Sequence, residues 1–322
     1  MVTGTAATKP DLIVVGQVTV DDVVPATPGP WRREIGGSSL YALAGARLWL
    51  DPGRIGLVAR VGRDYPFDIE SLLEDAGVQH VSLSPFDAEH LVEWLIYEPD
   101  GSRRSLPRNP ALLDIGGEGD VEARGSPALQ HYHRKLLEIA PTAQEIPAQW
   151  LPAAAVHLCP QVGDRHPENL KFLQHQASWI SVDPSPSYSR PLDPPQLARF
   201  LTGATAFMPS GREIQPLLQN RTPEALALEL HQSGFPEVIL KRGAEPVIVA
   251  ARGTSQSLPA APATVLDPTG AGDSFCGAYA ACRLLGHDPL EAAKRAAATA
   301  ALVIACSGAA AALRVSRPAM TP

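Results

Sequence analysis

The chain has 322 residues, 45% of them hydrophobic and 19% charged, so it carries enough apolar sequence for a full core and falls outside the disordered and fibrous classes. Its formal net charge of -7 argues against nucleic acid or an anionic membrane as partner, because no broad positive field would repay the release of counterions. In chain order, the first apolar run is Leu12 to Val20, which reads as one strand leading into Asp21 and Asp22. A proline-rich loop follows, and Gly36-Gly37 then opens a helix over Ser38 to Leu50. Ile55 to Val61 reads as a strand and Phe67 to Ala76 as a helix stopped by Gly77.

Leu91 to Tyr97 has the pattern of a partly exposed strand, with a turn at Asp100-Gly101. From Leu106 to Gln130 glycine, proline and charge recur without a period, which predicts a loop or lid segment. His131 and His133 lack partners at metal spacing and read as loop or surface residues. Short apolar runs then recur at Ala154 to Leu158, Trp179 to Val182, Ala204 to Met208, Val238 to Leu240 and Val247 to Ala250. Helical patterns lie among them, at Leu170 to Ala177 and Glu224 to Ser233. This alternation predicts an α/β fold with a mainly parallel sheet covered on both faces, and 1–322 as a single domain.

Two small-residue helices, Ser274 to Leu285 and Leu290 to Cys306, close the pattern. The uncharged run from Ala296 to Leu313 approaches the roughly 18 residues of a membrane span. It is mostly alanine, however, and reads as a buried helix ending near Gly308. Cys159, Cys276, Cys282 and Cys306 have no CxxC spacing and read as reduced core thiols. Met1 to Pro10 shows no basic stretch followed by an apolar one, so a cytoplasmic location is expected.

The segment that carries chemistry is Asp267-Pro-Thr-Gly-Ala-Gly-Asp273, placed between a strand-like Thr264-Val265-Leu266 and the helix from Ser274. Glycines around an alanine let successive backbone N–H groups converge, and the helix adds its positive end, which makes an anion site. Asp273 is then either the N-cap of that helix or a general base that deprotonates an attacking hydroxyl. The chain has no Walker loop, no GxGxxG after a strand, no HExxH and no GxSxG.

The run DPTGAGDSFCGAYAA resembles the C-terminal signature of the ribokinase (PfkB) family of sugar and nucleoside kinases. Val14 to Gly16, Asp21 and the helix-opening Gly36-Gly37 resemble the same family's N-terminal signature. The resemblance implies a three-layer αβα ribokinase-like core with a small β lid drawn from roughly 17–35 and 90–112. It implies Asp273 as general base and Gly270, Ala271 and Gly272 as the anion hole, with Thr269 beside the nucleotide. A monovalent cation, K+, is implied at Asp267. Ser210-Gly-Arg-Glu213 resembles the family's Asn-x-x-Glu motif, with serine for asparagine, so Glu213 is expected to act on Mg2+ through water; the alternative is an ordinary helix-starting glutamate.

Val238 to Ala244 is similar to the strand end beside ATP, which places Lys241, Arg242 and Gly243 at the nucleotide unless the two cations are simply solvated. Ala297 to Ala301 would wall the adenine. On the other side, Asp21, Gly36 and Gly37 are expected to bind substrate hydroxyls, and Tyr41 stands where many sugar kinases of the family have an asparagine. Arg103, Arg104, Arg108 and Asn109 either read an acidic group on the substrate or coat the lid with charge. The resulting expectation is ATP-dependent phosphorylation of a hydroxyl on a small sugar, polyol or sugar-like metabolite. Its rivals are a nucleoside kinase and a non-catalytic metabolite-binding protein on the same fold. The resemblance implies that Leu91 to Tyr97 could pair across a homodimer through the lid, with the oligomeric state open.

Overall fold

The computed structural model describes residues 9–24, 30–97, 103–107, 127–185 and 192–316, with backbone alone for 103–107 and 127–129. Its central sheet has nine strands: β1 (Leu12–Val15), β4 (Ile55–Gly62), β5 (His80–Phe86), β8 (Ala153–Leu158), β9 (Ala177–Val182), β10 (Ala206–Phe207), β11 (Glu237–Leu240), β12 (Val247–Ala251) and β13 (Thr254–Leu258). They lie in the order β13-β12-β11-β10-β9-β8-β1-β4-β5. Every neighbouring pair from β11 to β5 is parallel, and β12 and β13 add an antiparallel edge.

A second sheet has four strands in the order β3-β2-β6-β7, namely β2 (Thr19–Val24), β3 (Arg32–Gly36), β6 (Val92–Tyr97) and β7 (Arg103–Pro107). The apolar run at 12–20 is therefore two strands rather than one. Gly16 lies in the break between them, and a Cβ there would sit 2.6 Å from that of Cys159. The chain leaves the core sheet at this point and enters the small one.

Strand β1 explains the layering. Leu12 and Val14 pack into one cluster and Ile13 and Val15 into another, all four fully buried. A strand that is apolar at every position must be covered on both faces, and each such side chain contributes about 1.5–3 kcal/mol relative to exposure. One face carries α1 (Ser38–Arg47), α2 (Ile69–Asp75), α8 (Ala271–Leu284), α9 (Pro289–Val303) and α10 (Ala309–Ala312). The other carries α4 (Arg165–Leu173), α5 (Pro194–Phe200), α6 (Gly211–Leu218) and α7 (Pro223–Gln232). Helix α3 (Pro127–Ile139) leads into β8 and contains His131 and His133, which are exposed as surface residues but lie on a helix and not in a loop.

Three further expectations change. Strands β5 and β13 are additional to those predicted: β5 is half-buried except at the exposed Pro85 and β13 is largely exposed, so neither carries a dense apolar run. Thr264, Val265 and Leu266 are exposed and pair in no strand; Leu266 N donates instead to Ile304 O at 2.8 Å. The helix expected at 170–177 begins at Arg165 and ends at Leu173, because Ala177 already belongs to β9. In the run at 296–313 the helix ends at Val303, short of the expected Gly308, which instead caps α10 at φ 80°, and no described helix is long and apolar enough to cross a membrane. The turn at Asp100-Gly101 lies outside the described residues.

Helices α1 and α8 touch backbone to backbone. A Cβ on Gly45 would fall 1.9 Å from Ser274 O, and one on Gly277 would fall 1.8 Å from Ala42 O. Two glycines thus bring the helix that follows Gly36-Gly37 directly against the helix that follows Gly270-Ala271-Gly272.

Candidate active site

Strand order reverses at β1, whose chain neighbours β4 and β8 lie on opposite sides of it. In open parallel sheets such a reversal leaves a crevice beyond the carboxyl ends of the strands. A cavity of about 490 Å³ lies there. Gln17 follows β1, Pro160 follows β8, Asp183 follows β9, Ser210 follows β10 and Lys241 follows β11, and all five line it. Thr19, Asp21, Glu93, Leu95 and Tyr97 of the small sheet form the opposite wall. Gly270, Ala271, Gly272 and Asp273 lie between them.

The N-cap of α8 is Gly270, with φ 75° in the left-handed region, so Asp273 is the third helical residue and not the cap. Its carboxylate stands in the first turn, where the N-terminal amides of the helix favour negative charge. A Cβ on Gly270 would meet the Tyr41 ring at 2.1 Å. The left-handed turn and the ring packed against it both demand glycine here. Tyr41 is buried at the cavity wall, and burial, helped by Asp21, raises its hydroxyl well above the ordinary range, so it remains a neutral phenol.

Asp21 is buried and accepts a hydrogen bond of 2.6 Å from Thr19 Oγ1. A Cβ on Gly36 would lie 1.9 Å from Asp21 Oδ2. Gly36 therefore makes room for the carboxylate rather than for a ligand, whereas Gly37, at φ 110°, does line the cavity. Glu93 stands opposite Asp21 in the parallel register of β2 and β6, and Tyr132 of α3 donates to its Oε1 at 2.6 Å. Arg108 and Asn109 lie outside the described residues, as do the side chains of Arg103 and Arg104.

Lys241 is buried, and its Nζ donates to Asp183 Oδ2 at 2.5 Å and to Cys276 Sγ at 3.2 Å. Burial works against the ammonium, but the charge of Asp183 more than offsets it and the lysine pKa is raised. The solvated alternative thus fails for Lys241. Arg242 is half-buried; it pairs with Glu245, donates to Pro246 O, and does not line the cavity. Gly243 serves that same turn at φ 63° and is likewise off the cavity. The Ala297 to Ala301 stretch also lies outside the cavity lining.

Glu213 accepts from the Ser210 backbone N–H at 2.6 Å and from the Ser210 hydroxyl, a capping box that opens α6. The helix-starting role is therefore present, and the same capping carboxylate also lines the cavity. Among the described residues no group of three or more histidines, cysteines or acids could hold a metal. Asp183 and Glu213 nevertheless fit Mg2+, which is characteristically bound by one or two carboxylates together with phosphate oxygens and water. Asp267 is buried; its Oδ1 accepts from Thr269 N at 2.9 Å and Thr269 Oγ1 at 2.5 Å, and its Oδ2 accepts from Ser307 Oγ at 3.2 Å. Arg32 donates to the same Ser307 hydroxyl at 2.8 Å, so positive charge already stands one residue away. Tyr97 of the small sheet hydrogen-bonds Thr269, tying that sheet to the turn that precedes α8.

Asp183, Glu93 and Cys276 are absent from the sequence-based site. Asp183 ends the strand Trp179 to Val182 and could have been singled out as an acid at the carboxyl end of a buried strand. Glu93 has no such signal, because only the register of β2 against β6 turns it toward Asp21.

A model of the family described as pfkB family carbohydrate kinase matches residues 142–315, over half of the chain. A cytidine kinase of Thermococcus kodakarensis is 27% identical over 294 residues, covering 87% of this chain and 91% of the relative. A 2-dehydro-3-deoxygluconokinase of Escherichia coli is 40% identical over 92 residues, 27% of this chain and 29% of the relative. Among solved structures, the Escherichia coli protein called Ribokinase II, in complex with ATP and Mg2+, superposes with a TM-score of 0.65 at 20% identity, over 94% of this chain and 96% of that one.

Proposed function

Because the chain belongs to the pfkB family of carbohydrate kinases, we propose that it transfers the γ-phosphoryl group of ATP to a hydroxyl of a small sugar, polyol or nucleoside. The observation that carries this reading is the position of Asp273. It stands at the cavity in the first turn of α8, beside the amides of Gly270, Ala271 and Gly272 and across from Asp21.

Asp273 takes the proton of the acceptor hydroxyl, whose oxygen forms the new bond to the γ-phosphorus. The bond from that phosphorus to ADP breaks, and its electron pair leaves on ADP. Of the backbone N–H groups at 270–273, that of Ala271 donates to Pro268 O at 3.3 Å, and those of Gly270, Gly272 and Asp273 meet the charge that spreads over the transferring oxygens. Asp21, with Thr19, Gly37 and Tyr41, orients the acceptor, while Lys241 and Thr269 hold phosphate oxygens from the other side. Mg2+, when bound, offsets the charge of the phosphates, and Asp183 and Glu213 would hold it with water completing its shell. Asp267 is the residue proposed for K+, through the carboxylate that Thr269 and Ser307 orient.

The cytidine kinase aligns along most of its length and the 2-dehydro-3-deoxygluconokinase over less than a third, which favours a nucleoside among the acceptors to be tried first. The test is Asp273→Asn. ATP binding is expected to persist while turnover falls by about 10²–10⁴-fold, the range of a lost general base. Turnover within threefold of wild type would remove Asp273 from the mechanism.

A further inference from the structure

Among the described residues, the cavity is lined by two cations, Lys241 after β11 and Arg212 in the first turn of α6 after β10. Their situations are opposite. Lys241 Nζ is held by Asp183 Oδ2 at 2.5 Å and Cys276 Sγ at 3.2 Å, so its charge is matched before any ligand arrives. Arg212 is exposed at the cavity and, among the described residues, has neither a hydrogen-bond nor an ion-pair partner. Arg60, Arg221, Arg242, Arg283 and Arg295, by contrast, each pair with a glutamate.

The backbone beneath Arg212 is fixed. Ser210 bridges Lys241 in parallel, Gly211 N donates to Lys241 O at 2.8 Å, and Glu213 caps the helix through Ser210 N. The same Lys241 reaches the first turn of α8, where a Cβ on Gly272 would lie 3.4 Å from its Nζ. Strands β9 and β8 separate β10 from β1, and the chain enters the small sheet from β1. Arg212 thus stands on the Lys241 side of the cavity, away from the wall that Asp21 and Glu93 form. A guanidinium with a fixed root and no internal partner takes its interactions from what enters the cavity. Its planar fork of N–H donors matches two phosphate oxygens at once, which an ammonium cannot do.

We propose that Arg212 is a further catalytic residue: its guanidinium closes on the β- and γ-phosphate oxygens of ATP and stabilises the charge that shifts over them as the phosphoryl group passes to the acceptor. The inference rests on the kinase reading of this cavity. The bonds made and broken are those already given: the acceptor oxygen bonds to the γ-phosphorus, and the bond to ADP opens with its electron pair leaving on ADP. Arg212 moves no proton; it supplies positive charge and orientation where Lys241, matched by Asp183, supplies little net charge.

The experiment titrates ATP, ADP and AMP into the full chain by calorimetry with Mg2+ present, and follows ADP release over a panel of sugars, polyols and nucleosides led by cytidine and D-fructose. Arg212→Gln is expected to weaken ATP binding at least about tenfold while AMP binding holds, and to lower kcat by about 10²–10³-fold, the range for one lost electrostatic donor. Its thermal midpoint should match wild type, because the side chain is exposed. Arg212→Lys should keep part of the ATP affinity and little of the turnover. Arg212→Ala should regain turnover when millimolar guanidinium is added, which a merely structural role would not permit. Wild-type ATP affinity and turnover in Arg212→Gln overturn the proposal. So does an equal loss for ATP and AMP, or a raised KM for the acceptor with ATP affinity intact. A wild type that binds no ATP removes both the proposal and the kinase reading. ATP binding that weakens on Arg212→Gln, with no ADP release across the panel, would discard the kinase reading and leave Arg212 as a phosphate-binding residue.

Discussion

Lys241 Nζ and Asp183 Oδ2 lie 2.5 Å apart, both buried, at the carboxyl ends of β11 and β9 with β10 between them. Two charges out of water at this distance are tolerated because each neutralises the other. The pair therefore holds three strand ends together at the floor of the site and keeps an ammonium in reach of the anion loop; a Cβ on Gly272 would lie 3.4 Å from Lys241 Nζ.

Lys241→Met is expected to destabilise the fold by about 3–5 kcal/mol, because it leaves the Asp183 charge buried and unpaired. Adding Asp183→Asn should recover much of that stability and none of the activity. Denaturant unfolding of the two single variants and the double variant measures the coupling. Strictly additive losses would mean that the pair does not act as a unit.

The contact between α1 and α8 gives a second prediction. Gly277→Ala places a methyl group 1.8 Å from Ala42 O, where backbone and not a flexible side chain must yield. A cost of about 1–3 kcal/mol is expected, as for overpacked cores. Because α1 starts at the substrate-side glycines and α8 at the anion loop, a spread between them should also raise KM for the acceptor more than KM for ATP. Thermal unfolding together with steady-state kinetics separates the two effects.

Acid should unfold the protein through its buried histidines. Burial lowers His157 to about 3 and His166 to about 4, both from an ordinary value near 6.5, and His90 is lowered to about 4 in the same way. The unfolded chain then binds more protons than the native one between about pH 6.5 and pH 3–4, so stability is present in full above that window and is lost as pH falls through it. Each histidine contributes a slope of up to about 1.4 kcal/mol per pH unit. Denaturant unfolding at a series of pH values should show His166→Gln with a shallower slope than wild type. An unchanged slope would exclude His166 as a source of acid sensitivity.

The local signals in the sequence were those of periodicity and of special backbone. The apolar run from Leu12 read as a strand, and the glycines around Ala271 read as a turn into a helix, which the structure starts at Ala271 with Gly270 as its left-handed cap. Those two signals, with the strands and helices alternating between them, carried the fold class. What periodicity cannot convey is which strands become neighbours. The strand over 12–20 divides at Gly16 because two sheets, not one, claim its halves, and nothing local marks that division.

The same limit applied to individual residues. Arg242 and Lys241 are adjacent cations in the sequence, yet one turns to Glu245 at the surface while the other is buried against Asp183, an acid 58 positions away. Gly36 and Gly37 are alike on the page, but one clears space for Asp21 and the other borders the cavity. The sequence by itself determined the α/β alternation and the glycine turn that leads into the helix carrying Asp273, because these depend on neighbours along the chain. Only the tertiary structure decided the partner of Lys241, the placement of Glu93 opposite Asp21 and the backbone contact of α1 with α8. Those depend on sheet order and register, which arise when distant segments compete for the same buried surface.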